Sequence, residues 1–325
     1  MNPTSTDLPE AFTRHKHSPK LTVCVVTYNQ AEVIEQCLQS LIDQAVNFEF
    51  EVLVADDCST DGTSEIVERF SLRHPHIVIA KVHTKNIGPY ENYLYAHGLA
   101  RGEYVAHIDG DDYALPGKLQ KQVDFLDTHP ECSMVFHRCA SLHKDGQIDD
   151  PETSDCADTP CDFAEFQLKY PSKSWHSSKM YRRSANLSID RKGQKFLDKH
   201  IHFEHGRSGK VGYINSTLGV YRVGIGMSSN IYSVQELALD SYRYAIDLGY
   251  DANLIKKIIA REKFEQGLRC LQLKDFSGFR SGIEDGYRSG HRTPNSRLAY
   301  FFRCHPNIYL FSRDAIRHLR ELVIR

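Results

Sequence analysis

YVAHIDGDD, Tyr104 to Asp112, reads as a buried strand that ends abruptly on an acid-rich turn. Tyr104 to Ile108 is a short aromatic and β-branched run, and Asp109, Gly110, Asp111 and Asp112 follow it at once. Two earlier stretches have the same form. Leu21 to Val26 stops at Thr27, Tyr28 and Asn29, and Phe50 to Ala55 stops at Asp56 and Asp57. In an open α/β sheet a ligand sits beyond the carboxyl ends of the strands. The three polar ends are therefore expected to line one crevice.

Between these strands the apolar residues fall at helical spacing. Val33, Ile34, Cys37, Leu38, Leu41 and Ile42 share one face of a helix expected from Ala31 to Asp43, with Asn29 as its N-cap. Strand, helix and strand then form a right-handed parallel βαβ unit. A second unit follows, with a turn at Ser59 to Thr63, a helix carrying Ile66, Val67 and Phe70, and a strand from Ile77 to Val82. Pro116 suits the first turn of a helix bearing Leu119, Val123 and Leu126. Lys144 to Phe163 reads as a loop, Trp175 to Tyr181 and Lys210 to Tyr221 as ordered segments, and the chain from Val234 onward as helices. The domain reading is a flexible tail over 1–20, an α/β domain over 21–230 and a helical region over 231–325.

Composition narrows the partners. Lys plus Arg at 40 nearly balance Asp plus Glu at 42, so there is no overall basic field to hold nucleic acid. No run reaches the apolar length of a membrane span and the first 20 residues lack the apolar centre of a secretory signal, so a cytoplasmic protein is expected. The nine cysteines include Cys24, Cys37 and Cys58 in or beside expected core elements, where they read as small apolar residues. Cys132, Cys139, Cys156 and Cys161 lack the paired spacing of a structural zinc site.

Five segments, in order, carry a resemblance: VVTYNQ at 25–30, VLVADDCSTDGT at 52–63, KNIGPYEN at 85–92, GEYVAHIDGDD at 102–112 and GKVGYINSTLGVYR at 209–222. From about Leu21 to Ser229 the chain resembles the family 2 glycosyltransferases, inverting enzymes of the GT-A fold that use nucleotide-diphosphate sugars. That fold is α/β and Rossmann-like, with a mostly parallel central sheet flanked by helices. The resemblance implies that Thr27, Tyr28, Asn29, Asp56 and Asp57 meet the nucleotide, with Asp57 accepting from the base, which favours uridine. Asn86 and Gly88 match the loop beside the nucleotide, although Pro89, Tyr90 and Glu91 stand where relatives carry a basic residue. Asp109, Asp111 and Asp112 are implied to hold Mn²⁺ or Mg²⁺ against the diphosphate, since carboxylates suit a hard cation. Arg222 closes the last motif near the donor, and Gly224 stands where relatives carry a His that helps hold the metal or the phosphates. Asp198 matches the base that deprotonates the acceptor hydroxyl, with Glu204 as the next carboxylate to weigh. A glycan or lipid-linked acceptor in surface polysaccharide synthesis is the implied partner.

Plainer readings stand beside these. The acidic turn reads equally as a solvated Asp-rich turn, Asp56 or Asp57 as a cap of the following turn, Asn86 and Gly88 as turn formers, and Asp198 as an exposed helix cap. An EF-hand fails because its sixth and twelfth positions are Ala114 and Gln120. Neither dinucleotide-binding nor P-loop glycine patterns follow the first strand. His200, His202 and His205 lack a metalloprotease pattern and read as polar surface beside the acceptor cleft. The rival functions are a nucleotidyltransferase, which needs a glycine-rich basic loop that TYNQ does not supply, and a non-catalytic sugar-binding relative. Ile308 to Arg325 sets apolar residues against Arg313, Arg317, Arg320 and Arg325. Packing on the catalytic domain is its expected role and contact with anionic lipid the second. Nothing in the sequence fixes an oligomeric state.

Overall fold

A computed structural model describes residues 18–150, 159–171, 173–185, 193–224 and 231–310, without the side chains of 231–235. The basic segment beyond residue 310, the tail before residue 18 and the middle of the Lys144 to Phe163 loop lie outside these. The described residues fall into two compact units, one drawn from Met1–Asp162, Ser172–Phe196 and Glu204–Ser229, the other from Phe163–Pro171, Leu197–Phe203 and Asn230–Arg325.

The first unit is built on β1 (Leu21–Thr27), α1 (Ile34–Ile42), β2 (Phe50–Asp56), α2 (Thr63–Arg73), β3 (Val78–Val82), α3 (Pro89–Gly98) and β4 (Tyr104–Asp109). These four strands pair in parallel in the order β3-β2-β1-β4. Parallel strands need helical crossovers and are covered on both faces, which is why β1 and β2 are almost entirely buried apolar runs. β5 (Tyr113–Ala114), α4 (Lys118–Thr128), β6 (Cys132–Leu142) and β7 (Ile148–Asp149) follow. Beyond α5 (Phe163–Lys169), β8 (Met180–Arg182) joins β4 to β6 with antiparallel pairing to both. After α6 (Asp198–Gly206), the long β9 (Lys210–Arg222) runs parallel to β6 and pairs antiparallel with β5. Most paired residues lie in parallel ladders, and helices flank the sheet.

Several local expectations change. Asn29 is not the cap of α1, which begins at Ile34. Asn29 takes a left-handed φ of 52° and spends its side-chain oxygen on the Thr60 amide at 2.9 Å, so the loop-to-loop link wins over the cap. α4 starts at Lys118 behind a left-handed Gly117, which leaves Pro116 outside it. Lys20, given to the tail by sequence, donates to Glu103 and Asp127, and its carbonyl accepts from the Tyr104 amide.

The second unit holds α5, the start of α6, α7 (Ile231–Asp247), α8 (Ala252–Gln272), α9 (Phe276–Arg288) and α10 (Pro294–Phe301). α8 and α9 approach closely enough that a Cβ on Gly282 would lie 2.7 Å from the Gly267 Cα. Only glycine permits that backbone contact. Phe264, Leu271, Phe279, Ile283 and Tyr309 fill the core around it. Arg261 ties α5 to α8 by donating to the carbonyls of Gln167 and Leu168 at 2.7 and 2.5 Å.

Candidate active site

Three loops at the carboxyl ends of β1, β2 and β4 meet in the first unit. The loop after β1 is pinned to the loop after β2: the Asn29 amide donates to Ser59 Oγ at 2.9 Å, the Gln30 amide to Thr63 Oγ1 at 2.8 Å and the Ala31 amide to Asp61 at 3.0 Å. Thr27 is buried and donates to Gln30 Oε1, whereas Tyr28 is 47% exposed. Asp56 is fully buried and accepts from the amide and hydroxyl of Ser59 and from the Ser64 hydroxyl. It therefore caps its own loop. Asp57 accepts from the amides of Ile87 and Gly88 at 2.7 and 2.9 Å, one on each carboxylate oxygen. Asn86 donates to the Asp57 carbonyl and accepts from the Gly88 amide, so this whole segment hangs on Asp57. Each oxygen keeps a second lone pair for a ligand.

The acidic turn is built differently. Gly110 does not have positive φ; its role is space, because a Cβ there would lie 2.5 Å from Gln30 Oε1 and 2.9 Å from Thr27 Cβ. Asp112 is 2% exposed, accepting from the Arg222 amide at 3.0 Å and the Ser177 hydroxyl at 2.5 Å. Asp109 accepts from His107 Nε2 at 3.1 Å, and its amide donates to Ser177 Oγ at 3.0 Å. Asp111 is 8% exposed. Burial pushes the Asp109 and Asp111 carboxyls up to about 6, in Asp111 helped by the Asp109 charge. Burial, with Asp109 and Asp111 beside it, drives Asp112 well above the usual range. Three carboxyls are thus held in one turn without enough positive charge. An all-oxygen donor set in that condition fits a hard divalent cation, whose charge offsets both the repulsion and the desolvation.

Arg222 joins this turn through its amide, its guanidinium donates to Gln36 and lies 5.5 Å over the Tyr113 ring, and its buried Nε has no hydrogen-bond partner among the described residues. Gly224 has φ +81°, a conformation that a His resists. Ser177 was not legible beforehand: it comes from a 3-10 turn at His176–Ser178, far along the chain, and only the fold brings it under Asp109 and Asp112. Lys118 is likewise buried beneath the site, donating to the Ser177 carbonyl, and burial lowers its pKa to about 8. His200, His202 and His205 are fully buried on the helical α6, not on a polar surface. Asp198 is the first residue of α6, half-buried, with Oδ1 accepting from the Lys199 amide at 2.8 Å; it belongs to the second unit.

The model for "Glycosyl transferase family 2" matches residues 22–207. The uncharacterized protein Rv1520 of Mycobacterium tuberculosis is 33% identical over 205 residues, covering 62% of this chain and 58% of its own. The poly(ribitol-phosphate) beta-N-acetylglucosaminyltransferase TarS of Staphylococcus aureus is 38% identical over 111 residues, 34% of this chain and 19% of its own. The chain thus spans little more than half of one relative and about a fifth of the other. Among solved structures, TarS 1-349 in complex with UDP-GlcNAc superposes with TM-score 0.60 at 19% identity, covering 92% of each chain. The mannosyltransferase PcManGT of Pyrobaculum calidifontis, solved with GDP-Man and Mn²⁺, gives TM-score 0.55 at 20% identity, covering 91% of this chain and 87% of that one. At these identities the likeness speaks for the fold, which is GT-A.

Proposed function

The chain belongs to glycosyl transferase family 2, and from that premise we propose that it moves a sugar from a nucleotide-diphosphate donor, UDP-linked, to an acceptor hydroxyl with inversion at the anomeric carbon. The observation that carries the reading is the turn at Asp109, Asp111 and Asp112, where the buried carboxyls of Asp111 and Asp112 stand beside the half-buried Asp109 at the end of β4. Asp111, with Asp109 and Asp112, would hold Mn²⁺ or Mg²⁺, which supplies neutralisation of the charge that gathers on the departing diphosphate. The relative bound to UDP-GlcNAc and the one bound to GDP-Man and Mn²⁺ agree with this chemistry for their own chains.

In this reading Thr27, Tyr28, Asn29, Asp56 and Asp57 form the nucleotide side, with Asp57 holding the segment of Asn86 and Gly88 against it. The unspent Nε of Arg222 suits a phosphate oxygen. Asp198 takes the proton from the acceptor hydroxyl as that oxygen attacks. A glycan or lipid-linked acceptor of surface polysaccharide synthesis, met in the cytoplasm, completes the assignment. No helix among the described residues is long and apolar enough to cross a membrane.

The test pairs donor hydrolysis or transfer with EDTA and with Asp198→Asn. Chelation should stop turnover, and activity unchanged in EDTA would remove the metal from the proposal. Asp198→Asn should retain donor affinity while transfer falls roughly a hundredfold, the scale of lost general-base help. Wild-type transfer by that variant, with chemistry limiting, would shift the role to Glu204.

A further inference from the structure

Behind the acidic turn, on the face of the sheet covered by α3, lies a row of buried polar side chains that the transfer chemistry does not use. His107 and Asp109 are two apart on β4 and so share a face, and Tyr181 on β8 pairs with Val105 of the same face. His97 comes down from α3. Tyr181 and His107 are fully buried and His97 is 4% exposed. The links are short and continuous: Tyr181 Oη to His97 Nδ1 at 2.8 Å, His97 Nε2 to His107 Nδ1 at 2.9 Å and His107 Nε2 to Asp109 Oδ1 at 3.1 Å.

We infer that Tyr181, His97 and His107 form a one-way hydrogen-bond chain that fixes Asp109 for its cation, and that all three are positioning residues for the proposed metal site. The inference rests on the metal reading above. An ionised carboxylate can only accept, so His107 must present Nε2–H to Asp109. One proton occupies the gap between the two rings; with His107 neutral its Nδ1 is bare, so His97 Nε2–H donates into it. His97 Nδ1 is then the acceptor for the Tyr181 hydroxyl. Every proton points toward Asp109. Lys179 lies 5.4 Å over the Tyr181 ring and donates to the Tyr93 hydroxyl, and His205 stacks on Tyr181 at 3.8 Å, so the far end of the chain is clamped by its rings. An outer partner of this kind sets the tautomer and orientation of the groups before it and the basicity of the ligand.

The experiment uses the full chain and two readouts besides activity. Nitrogen NMR of ¹⁵N-histidine-labelled, metal-free protein should show His107 and His97 with protonated Nε2 and bare Nδ1. The opposite tautomer at His107 would overturn the chain. Mn²⁺ affinity, read by electron paramagnetic resonance, should fall roughly 10- to 100-fold in His107→Phe and recover most of that loss in His107→Gln, whose amide can still donate. A merely structural role predicts no such rescue. Tyr181→Phe keeps the stacking and removes only the first donor, so it should weaken Mn²⁺ binding roughly two- to tenfold; it carries the test if His107→Phe does not fold. Wild-type Mn²⁺ affinity in the folded variants would refute the inference. Asp111→Asn separates the two failures. If it binds Mn²⁺ like the wild type, the metal reading fails, and the NMR tautomers still judge the chain.

Discussion

The turns after β2 and after β4 both carry neighbouring aspartates at the end of a buried parallel strand, yet the fold treats them in opposite ways. At Asp56 and Asp57 the carboxylates are matched by donors from their own loops: Ser59, Ser64, and the amides of Ile87 and Gly88. At Asp109, Asp111 and Asp112 donors reach two of the three, from His107, Ser177 and the Arg222 amide, yet burial raises all three pKa values, with neighbouring carboxyls adding to the rise at Asp111 and Asp112. The first turn is complete without a ligand and serves as a preformed frame. The second is left with a charge deficit that an incoming cation can relieve. Similar sequence therefore yields two different electrostatic settings, and burial beside like charge, not the count of hydrogen bonds, tells them apart.

The largest expected effect is at the second turn. Asp111→Asn should lower metal-dependent turnover roughly a thousandfold, the several kcal/mol that a Lewis-acid cation supplies, with the unfolding temperature kept or raised because a repelling charge has gone. Asp112→Asn should behave otherwise. Its oxygens accept from the Arg222 amide and Ser177, so an Asn must keep its oxygen on the amide and turn its NH2 onto Ser177 Oγ, which already accepts from the Asp109 amide, and the loss of the charge-assisted bond weakens the fold. Equal thermal shifts in the two variants would erase the distinction drawn within this turn.

Asp57→Asn probes the first turn and comes next. Its carboxylate accepts on both oxygens, so an amide nitrogen must confront the amide of Ile87 or Gly88. Loss of about 2 kcal/mol is expected, together with a raised KM for donor and little change in kcat. A variant with normal donor affinity and a melted 86–88 segment would leave Asp57 as a scaffold alone.

Acid titration separates the turns without mutation. Asp109 and Asp111 have folded-state values near 6 against an ordinary 3.8, so the folded, metal-free protein binds their protons more tightly than the unfolded chain does. That contribution is full below about 3.8 and is lost as pH rises through about 6. Metal-free protein should therefore lose on the order of 3 kcal/mol of stability per carboxyl from this source between those limits, and less at Asp109, whose side chain is 35% exposed. Mn²⁺ competes for the same sites, so its apparent affinity should fall as pH drops below about 6. Differential melting of wild type and Asp111→Asn across this range is the measurement, and identical pH slopes would contradict the assignment of the shift to this turn.

How much of this was legible follows from where the information lies in the chain. β1, β2 and β4 could be read because strands buried on both faces are mostly apolar runs, broken within only at Thr22, Glu51 and His107, and their ends announce themselves as polar residues. The cluster at Asp109 to Asp112 could be read for the same reason. Ser177 and Lys118 could not, since they reach the turn through tertiary contacts with no local spacing to betray them. Asn29 looked like a cap because its preference is real, but a bond across to Thr60 outcompeted it. The histidines at 200, 202 and 205 read as polar surface from residue type alone, whereas all three are buried on α6. The division into units likewise gathers 163–171 and 197–203 with the C-terminal helices, a grouping that no composition shift marks.

The smallest expected effect comes from Ser64→Ala, and it tests whether the first turn is a frame in its own right. Ser64, the second residue of α2, donates its hydroxyl to Asp56 Oδ2 at 2.6 Å, on an oxygen that also accepts from the Ser59 amide at 3.1 Å. Removing the hydroxyl leaves Asp56 with both Ser59 donors, so no buried charge is stranded. The loss should be about 1 kcal/mol, that of a typical single hydrogen bond with the remainder intact. The unfolding temperature should drop roughly 2–4 °C, with donor KM and kcat unchanged. If KM rises instead while stability holds, Asp56 is tuned for the nucleotide itself, and the contrast between a satisfied turn and a ligand-hungry one has to be redrawn.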